Sequence, residues 1–254
     1  MPSPLSEGSL WLVLVGAVAG WVNTLAGGGS LLTVPALMWY GLPADVANGT
    51  SRVAILAQCL AAVVAFRRRR VLDTKLFARV ALPSVLGAAL GAFAATLIPN
   101  AIFKPLLIST LALVALVLLV RSRSTKPADP ATDGAPGQKR WVALALFGVG
   151  VYGGMFQAGV GIMLLVVLSS GLGLDLVRGN AIKVGVALLY SVVAVWVFAA
   201  SDRVHLSSGL VLALGNVIGA VLGVRFALRA GQEAVRKVVL VGALAVVLSV
   251  LFRQ

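Results

Sequence analysis

Acidic, histidine and cysteine side chains are scarce in this chain of 254 residues. It has eight Asp and Glu residues, one histidine and one cysteine. A lone cysteine, Cys59, can form neither an internal disulfide nor a thiolate metal cluster, and His205 lies in a short polar segment beside Asp202 and Arg203. No Walker, Rossmann or catalytic-triad context accompanies them. The sequence therefore predicts a protein that is not an enzyme and that holds no cofactor or metal.

Charged side chains of either sign are rare as well. They make up 11% of the residues, against 60% for hydrophobic ones, which excludes an ordinary soluble domain. Charge-free apolar runs longer than about 18 residues mark membrane spans. Such runs lie at residues 8–44, 80–103, 141–174, 184–201 and 206–224, with shorter ones at 53–66, 105–120 and 238–252. The sequence predicts an all-α, polytopic integral membrane protein whose main partner is the lipid bilayer.

The formal net charge of +13 comes from Lys and Arg residues in short polar segments between the apolar runs. The positive-inside rule places such residues on the cytoplasmic side of a membrane, so the charge does not indicate a nucleic-acid partner. Residues 67–79 and 121–140 are therefore expected to be cytoplasmic. The sequence is compatible with either a monomer or a homodimer.

The two halves of the chain are similar to each other. GWVNTLAGGGSLL from Gly20 matches GVYGGMFQAGVGIMLL from Gly150, and GLPADVANGTSR from Gly41 matches GLGLDLVRGNAIK from Gly171. Further on, residues 81–91 match residues 213–223. The Pro-rich polar stretch between the halves has no periodicity. We predict a first membrane repeat at 1–120, a disordered cytoplasmic linker at 121–140 and a second membrane repeat at 141–254.

Matching glycines occur in both repeats, four residues apart, at Gly87 and Gly91 and at Gly219 and Gly223. Small residues with this spacing allow helices to cross closely in lipid. We therefore expect these four glycines to lie at helix crossings.

Charge asymmetry also predicts how the repeats are oriented. The basic segment 225–237 is read as a loop, and it is cytoplasmic if residues 141–170 enter the membrane and return on the same side. If residues 9–40 also enter the membrane and return on the same side, each half has a broken or re-entrant first segment followed by three spans. The two four-segment repeats, about 7–8 transmembrane segments in all, are then inverted, as in many secondary transporters. The alternative has four full spans in each half and parallel repeats.

A glycine run interrupts the first apolar segment at Gly27, Gly28 and Gly29. Each glycine costs a helix about 1 kcal/mol relative to alanine, so the run predicts a broken helix with free backbone N–H groups. Such groups at a helix start bind anions. The alternative is tight helix packing. The second half repeats the pattern more loosely, at Gly153, Gly154, Gly159 and Gly161.

Two cations, Arg52 and Lys183, occupy corresponding positions inside membrane segments. A cation at the bilayer centre costs at least about 2.5–3.5 kcal/mol, so each should face a cavity or a partner. We hypothesise that the two share one bound anion. The alternative is that they extend to the headgroups. Asp45 and Asp175, at the entry to the second segment of each half, are the candidates for coupling transport to protons.

Polar side chains near these features are candidate hydrogen-bond donors to an anion. Capping of a helix start is the alternative for Asn48 and Asn180, and hydrogen bonding between helices is the alternative for Asn23 and Gln157. The full set of polar candidates is Asn23, Ser30, Thr33, Asn48, Thr50, Ser51, Gln157 and Asn180.

GWVNTLAGGGSLLTVP followed by ANGTSR, and GVYGGMFQAGVGIMLL followed by RGNAIK, resemble the paired signatures of the TauE/SafE family of sulfite-exporter-like permeases. The resemblance covers nearly the whole chain outside the linker, although the second half does not repeat the triple glycine. It implies a permease of the cytoplasmic membrane that exports sulfur-containing anions such as sulfite or organosulfonates. A passive anion channel, or a permease for another small organic anion, is the alternative.

The family motif positions that the resemblance carries onto this chain lie in both halves. In the first half they are Asn23, Gly27, Gly28, Gly29, Thr33, Pro35, Asn48, Gly49, Thr50, Ser51 and Arg52. In the second half they are Gly153, Gly154, Gly159, Gly161, Asn180 and Lys183.

Overall fold

Helices form the framework of the part of the chain that the structure describes. The structure, a computed structural model, describes residues 7–25, 28–68, 74–121 and 136–251. The first half contains α1 (Glu7–Leu25), α2 (Ser30–Trp39), α3 (Ala44–Arg68), α4 (Thr74–Leu97) and α5 (Asn100–Arg121). The second half contains α6 (Pro136–Met155), α7 (Val160–Leu172), α8 (Leu176–Ala200) and α9 (Leu206–Leu251).

Among the described residues, four helices are long and apolar enough to cross a membrane: α3, α4, most of α8 and the first part of α9. The outer surface is apolar too. On α4, Leu82, Leu86 and Leu90 recur every four residues and are 65%, 56% and 54% exposed. Such a surface is unfavourable in water and suits lipid. The described residues therefore confirm the prediction of an all-α membrane protein.

The first segment of each half is a broken helical hairpin. The break between α1 and α2 falls at the glycine run, and the Trp11 and Trp39 rings at the outer ends of the two helices lie 5.8 Å apart. In the second half, the end of α7 returns to the start of α6. A Cβ atom built on Gly171 would lie 2.7 Å from Val142 Cγ2. In each half the chain therefore breaks and turns back, so that the outer ends of the two helices lie side by side.

The arms of the hairpins pack on helices of the opposite half. α1 lies against α9, and α6 lies against α4. A Cβ atom added to Gly87 would lie 2.1 Å from Phe147 O, and one added to Gly219 would lie 2.0 Å from Ala17 O. Added Cβ atoms would also meet the facing helix closely at Gly91 and Gly223. The predicted helix crossings at these four glycines are confirmed.

The helices α3 and α8 pack against each other in opposite directions at the centre. Ala62 and Phe66, near the end of α3, share a buried cluster with Ala181 and Val184, near the start of α8. At the other end of the pair, Phe198 of α8 lies beside Arg52 of α3. This arrangement brings both predicted cations into the interior.

Two of the predicted boundaries differ from the structure. The segment 225–237, expected to be a loop, lies inside α9, which is continuous from Leu206 to Leu251. Its sequence has three Ala and three Arg residues, both good helix formers, and the single Gly231 costs only about 1 kcal/mol in a helix. The predicted linker is also shorter at its end, since Pro136–Met155 is already helical. Its residues 122–135 lie outside the described residues.

Candidate functional site

The two helix breaks meet at the centre of the molecule. Ser30, the first residue of α2, donates a hydrogen bond from its hydroxyl to the backbone oxygen of Gln157, at 3.1 Å. A cavity of about 10 Å³ lies between the breaks, with room for roughly one water molecule. Residues of both breaks, of α3 and of α8 line the cavity, among them Asn23, Ser30, Cys59, Gln157, Gly161, Lys183 and Tyr190.

The second break owes its shape to two residues with positive φ. Gln157 has a φ of 63° and Gly159 a φ of 70°, both in the left-handed region. Glycine adopts this region at no steric cost, whereas a glutamine there is uncommon. The Tyr152 hydroxyl supports the turn by donating to Ala158 O at 2.7 Å. The Gly159 position could be predicted from sequence, while the conformation of Gln157 could not.

Arg52 binds the end of α6. Its guanidinium donates to the backbone oxygens of Gly153 at 3.1 Å, Gly154 at 2.6 Å and Met155 at 3.1 Å. It also lies 4.6 Å from the centre of the Phe198 ring, a cation–π contact. The last carbonyls of a helix lack intrahelical partners and carry partial negative charge. Arg52 of the first half thus satisfies the open end of a helix in the second half.

Lys183 binds the end of α1 in the same manner. Its ammonium donates to Asn23 O at 2.9 Å and to Thr24 O at 3.2 Å. A lysine has three N–H donors, so one direction remains for the cavity that Lys183 also lines. Each half therefore supplies the cation that neutralises a helix end of the other half.

Each cation has an asparagine beside it that binds the same helix end. Asn48 donates from its side chain to Met155 O at 2.9 Å, and Asn180 donates to Leu25 O at 2.9 Å. Neither asparagine caps the start of its own helix. In α8 that role belongs to Asp175, whose carboxylate accepts from the N–H groups of Val177 and Arg178. The capping alternative was wrong for Asn180, because α8 begins four residues before it.

The predictions for Arg52 and Lys183 have different outcomes. Their residue exposures are 0% and 2%, so neither side chain extends to the headgroups, which excludes the surface alternative for this structure. Lys183 lines the central cavity, whereas Arg52 is not among its lining residues. The structure therefore brings both cations to helix breaks but does not bring both to one cavity.

The remaining polar candidates of the first half are buried around the break and the start of α3. Thr33 Oγ1 bonds to Ser30 O and Ser51 Oγ bonds to Asn48 O, so both hydroxyls are used within their own helices. Thr50 Oγ1 accepts from the backbone N–H of His205, at the entrance to α9. Thr33, Thr50 and Ser51 therefore bond to their own helices or to the start of α9, and none of them lines the cavity.

The predicted glycines fall into two groups. Gly29 and Gly154 are packing positions, since an added Cβ atom would lie 2.1 Å from Ala19 O or from Ala88 O respectively. Gly28 has room, with Ile162 Cδ1 as the nearest atom at 3.5 Å, and Gly161 lines the cavity. Gly27 lies outside the described residues.

The two candidate coupling acids lie away from the cavity. Asp45 forms an ion pair with Arg203 at 3.6 Å, and Arg203 in turn donates to Ala95 O and Ile98 O at the end of α4. Asp175 is an exposed helix cap that also pairs with Arg178 at 3.6 Å. Both carboxylates lie at the ends of helices, and neither lines the cavity.

Sequence reasoning missed three residues of this region: Cys59, Tyr190 and Phe198. Cys59 and Tyr190 line the cavity. They follow Arg52 and Lys183 by seven residues, two helical turns that return to the same face. That spacing was the available signal. Phe198 stood in an apolar run and could be recognised only from its contact with Arg52.

Comparison with known proteins supports one family. The family model described as "Sulfite exporter TauE/SafE" matches residues 12–250. A "Probable membrane transporter protein" of Haemophilus influenzae is 27% identical over 236 residues, covering 91% of this chain and 89% of the relative. "Probable membrane transporter protein ORF9" of Sinorhizobium sp. is 26% identical over 241 residues, 95% of this chain and 91% of the relative.

A third relative is "Probable membrane transporter protein YfcA" of Escherichia coli K12, 27% identical over 245 residues, which are 95% of this chain and 88% of the relative. The matches run through both broken hairpins and the helices between them. Because the family model spans nearly the whole chain, the protein belongs to the TauE/SafE sulfite exporter family and is a multi-pass membrane transporter.

Proposed function

We propose that this transporter exports small sulfur-containing anions, such as sulfite or organosulfonates, by alternating access across the cytoplasmic membrane. The anion binds in the central cavity between the two repeats. The observation on which the proposal rests is the meeting of two helix starts and one ammonium group at that cavity. Ser30 begins α2, Gly161 lies in the first turn of α7, and Lys183 reaches the same space.

These three elements suit an anion for electrostatic reasons. The first N–H groups of a helix have no intrahelical partner and carry partial positive charge. Two helix starts and the one N–H direction that the Lys183 ammonium leaves open therefore offer hydrogen-bond donors to an anion in a region with little water. Buried charge-assisted hydrogen bonds of this kind contribute about 1.5–3 kcal/mol each. A sulfite or sulfonate group offers three oxygens to accept them.

The choice of a sulfur anion rests on the family description rather than on the geometry. Helix N–H groups and an ammonium would also accept a small carboxylate. A permease for another small organic anion is therefore the competing substrate assignment, and flux assays with both classes of anion discriminate between them.

The cavity size favours a carrier over an open channel. At about 10 Å³ it is smaller than a sulfite ion, so binding requires the two breaks to move apart. The Ser30–Gln157 hydrogen bond is one contact that such a motion would break. Closing behind the anion and opening ahead of it is the alternating access of repeat-based carriers.

The proposed inverted repeat supplies the two moving parts. It is supported by reciprocal packing, α1 on α9 and α6 on α4, and by the antiparallel arrangement of α3 and α8. It is supported further by the exchange of helix caps between the halves. Asp45 and Asp175 remain the proposed acids for proton coupling.

Purified protein in liposomes tests the proposal. We expect saturable sulfite flux in exchange for internal sulfite, accumulation against a sulfite gradient when a pH gradient is imposed, and weaker flux of acetate. Lys183→Gln should raise the sulfite concentration for half-maximal flux roughly 10- to 150-fold, because one charge-assisted bond of about 1.5–3 kcal/mol is lost. Lys104→Gln is the matched control, since Lys104 is an exposed lysine on α5.

The outcomes separate the alternatives. Flux that is only downhill and does not saturate indicates a channel. Acetate transport without sulfite transport indicates another organic-anion permease. Sulfite flux that Lys183→Gln leaves unchanged removes the central cavity from the mechanism.

A further inference from the structure

The C-terminal end of α1 is a cluster of oxygen atoms around an ammonium group. Lys183 Nζ lies 2.9 Å from Asn23 O and 3.2 Å from Thr24 O. Thr24 on α1 and Asn180, whose amide donates to Leu25 O, each carry one further buried oxygen, Thr24 Oγ1 and Asn180 Oδ1, that has no hydrogen-bond partner in the described part of the chain. The residues at the end of α1 therefore offer more acceptor oxygens than the two carbonyls that Lys183 bonds.

An oxygen cluster at a helix C-terminus is the kind of place where a dissolved cation binds. The carbonyls at a helix end carry about half a negative charge. In carriers with broken helices, unwound carbonyls and the C-terminal ends of half-helices coordinate the coupling sodium ion. Here the position at the end of α1 is held by a side chain from α8, and Thr24, Asn180 and Lys183 are all buried.

We propose that the Lys183 ammonium is a built-in substitute for a bound sodium ion. The native chain then needs no dissolved cation at the end of α1, and a neutral residue at position 183 converts the cluster into a sodium site. Carbonyl and hydroxyl oxygens are the donors that hard cations prefer. For transport, and resting on the function proposed above, the inference makes anion flux independent of sodium in the parent protein.

Arg52 has the corresponding place at the end of α6, where three carbonyls surround its guanidinium. The guanidinium is planar and much larger than a sodium ion. The compact ammonium of Lys183 is therefore the group that a sodium ion can replace more readily.

Thermal unfolding of the purified full chain in detergent tests the inference without any substrate. The parent, Lys183→Met, Lys183→Arg and the exposed-lysine control Lys104→Met are melted in sodium, potassium or choline chloride at equal ionic strength. We expect only Lys183→Met to gain stability specifically from sodium. The gain should be about 5–10 °C in melting temperature when sodium is 100-fold above its dissociation constant. Lys183→Arg keeps the charge and should stay insensitive.

Several results would overturn the inference. One is a Lys183→Met protein that melts at the same temperature in all three salts. Another is a sodium-specific gain in the parent. A third is a Lys183→Met protein that cannot be recovered folded in any of the salts while Lys183→Arg folds, because a dissolved cation then fails to take the position.

Melting in detergent and sulfite flux in liposomes together distinguish this inference from the proposed transport function. Sodium stabilisation of Lys183→Met without any sulfite flux in the parent would support the cation position and contradict the proposed substrate. Sulfite flux in the parent that requires sodium would contradict the inference and leave anion transport standing.

Discussion

The two buried cations, Arg52 and Lys183, are bound by backbone carbonyls of the opposite half of the chain. Each satisfies a helix end that the glycine break leaves open. This explains how the chain tolerates a cation at membrane depth, where an unpartnered charge would cost several kcal/mol. It also changes the hypothesis that the sequence suggested, since a shared anion is not required to account for both residues.

The glycine run contains two residues with different surroundings, which a matched pair of variants should separate. Gly29→Ala places a Cβ atom 2.1 Å from Ala19 O, so we expect a loss of about 1–3 kcal/mol in unfolding free energy from the forced shift. Gly28→Ala meets only Ile162 Cδ1 at 3.5 Å, so we expect a change below about 0.5 kcal/mol. Denaturant or thermal unfolding in detergent measures both.

The bulkier Gly28→Val then tests the role of Gly28 in binding. Its side chain should reduce sulfite flux while the protein remains folded. Equal stability of the Gly28→Ala and Gly29→Ala proteins would contradict the packing assignment, and normal flux in Gly28→Val would leave Gly28 without a part in binding.

Residue identities could be predicted from the sequence better than residue partners. Motif position and polar character predict five site residues that the structure places around one cavity: Asn23, Ser30, Gln157, Gly161 and Lys183. The carbonyl partners of Arg52 could not be predicted, because every residue carries the same backbone oxygen and only the fold shows which ones are open. The same limit applies to the end of α1.

At the scale of helices, the crossing of α4 and α6 depends on closely placed glycines. Gly150 and Gly148 lie on the same helix, and only Gly150 faces α4, where an added Cβ atom would lie 2.2 Å from Ser84 O. A Cβ atom on Gly148 would have no neighbour within 4 Å among the described atoms. The pair therefore offers a control within one helix.

We expect Gly150→Ala to lower the unfolding free energy by about 1–3 kcal/mol, because the two helices must separate. Gly148→Ala should be neutral or stabilise by up to about 1 kcal/mol through helix propensity. Melting temperature and the yield of folded protein in detergent report the difference. A Gly148→Ala loss as large as that of Gly150→Ala would show that the glycines serve backbone flexibility instead of contact.

Helix boundaries could be predicted where glycine or proline interrupts the helix, and not elsewhere. The glycine run ends α1, and Pro99 separates α4 from α5. The charges of the segment 225–237 predict a loop, although charged residues such as Arg and Glu are good helix formers. Charged residues indicate that a segment is exposed to solvent, but they do not by themselves end a helix.

At the scale of the whole molecule, the orientation of the two halves is the prediction that labelling can test. Pro43 and Arg178 are exposed residues at the start of the second segment of each half. If the repeats are inverted, these positions face opposite sides of the membrane. In a Cys59→Ala background, Pro43→Cys should react with an impermeant thiol reagent from outside, and Arg178→Cys only after the membrane is opened. Labelling of both from the same side would favour parallel repeats.

The reciprocal helix caps have a consequence for how the chain is made. The end of α1 is bound by Asn180 and Lys183, which leave the ribosome roughly 8–30 s after Leu25 at 5–20 residues per second. During that interval the carbonyls at the end of α1 lack these two partners and must be hydrogen-bonded by water or by the insertion machinery. The second hairpin meets Asn48 and Arg52 already in place and can close as it emerges. The two hairpins thus close at different times in synthesis, and the first one stays open longer.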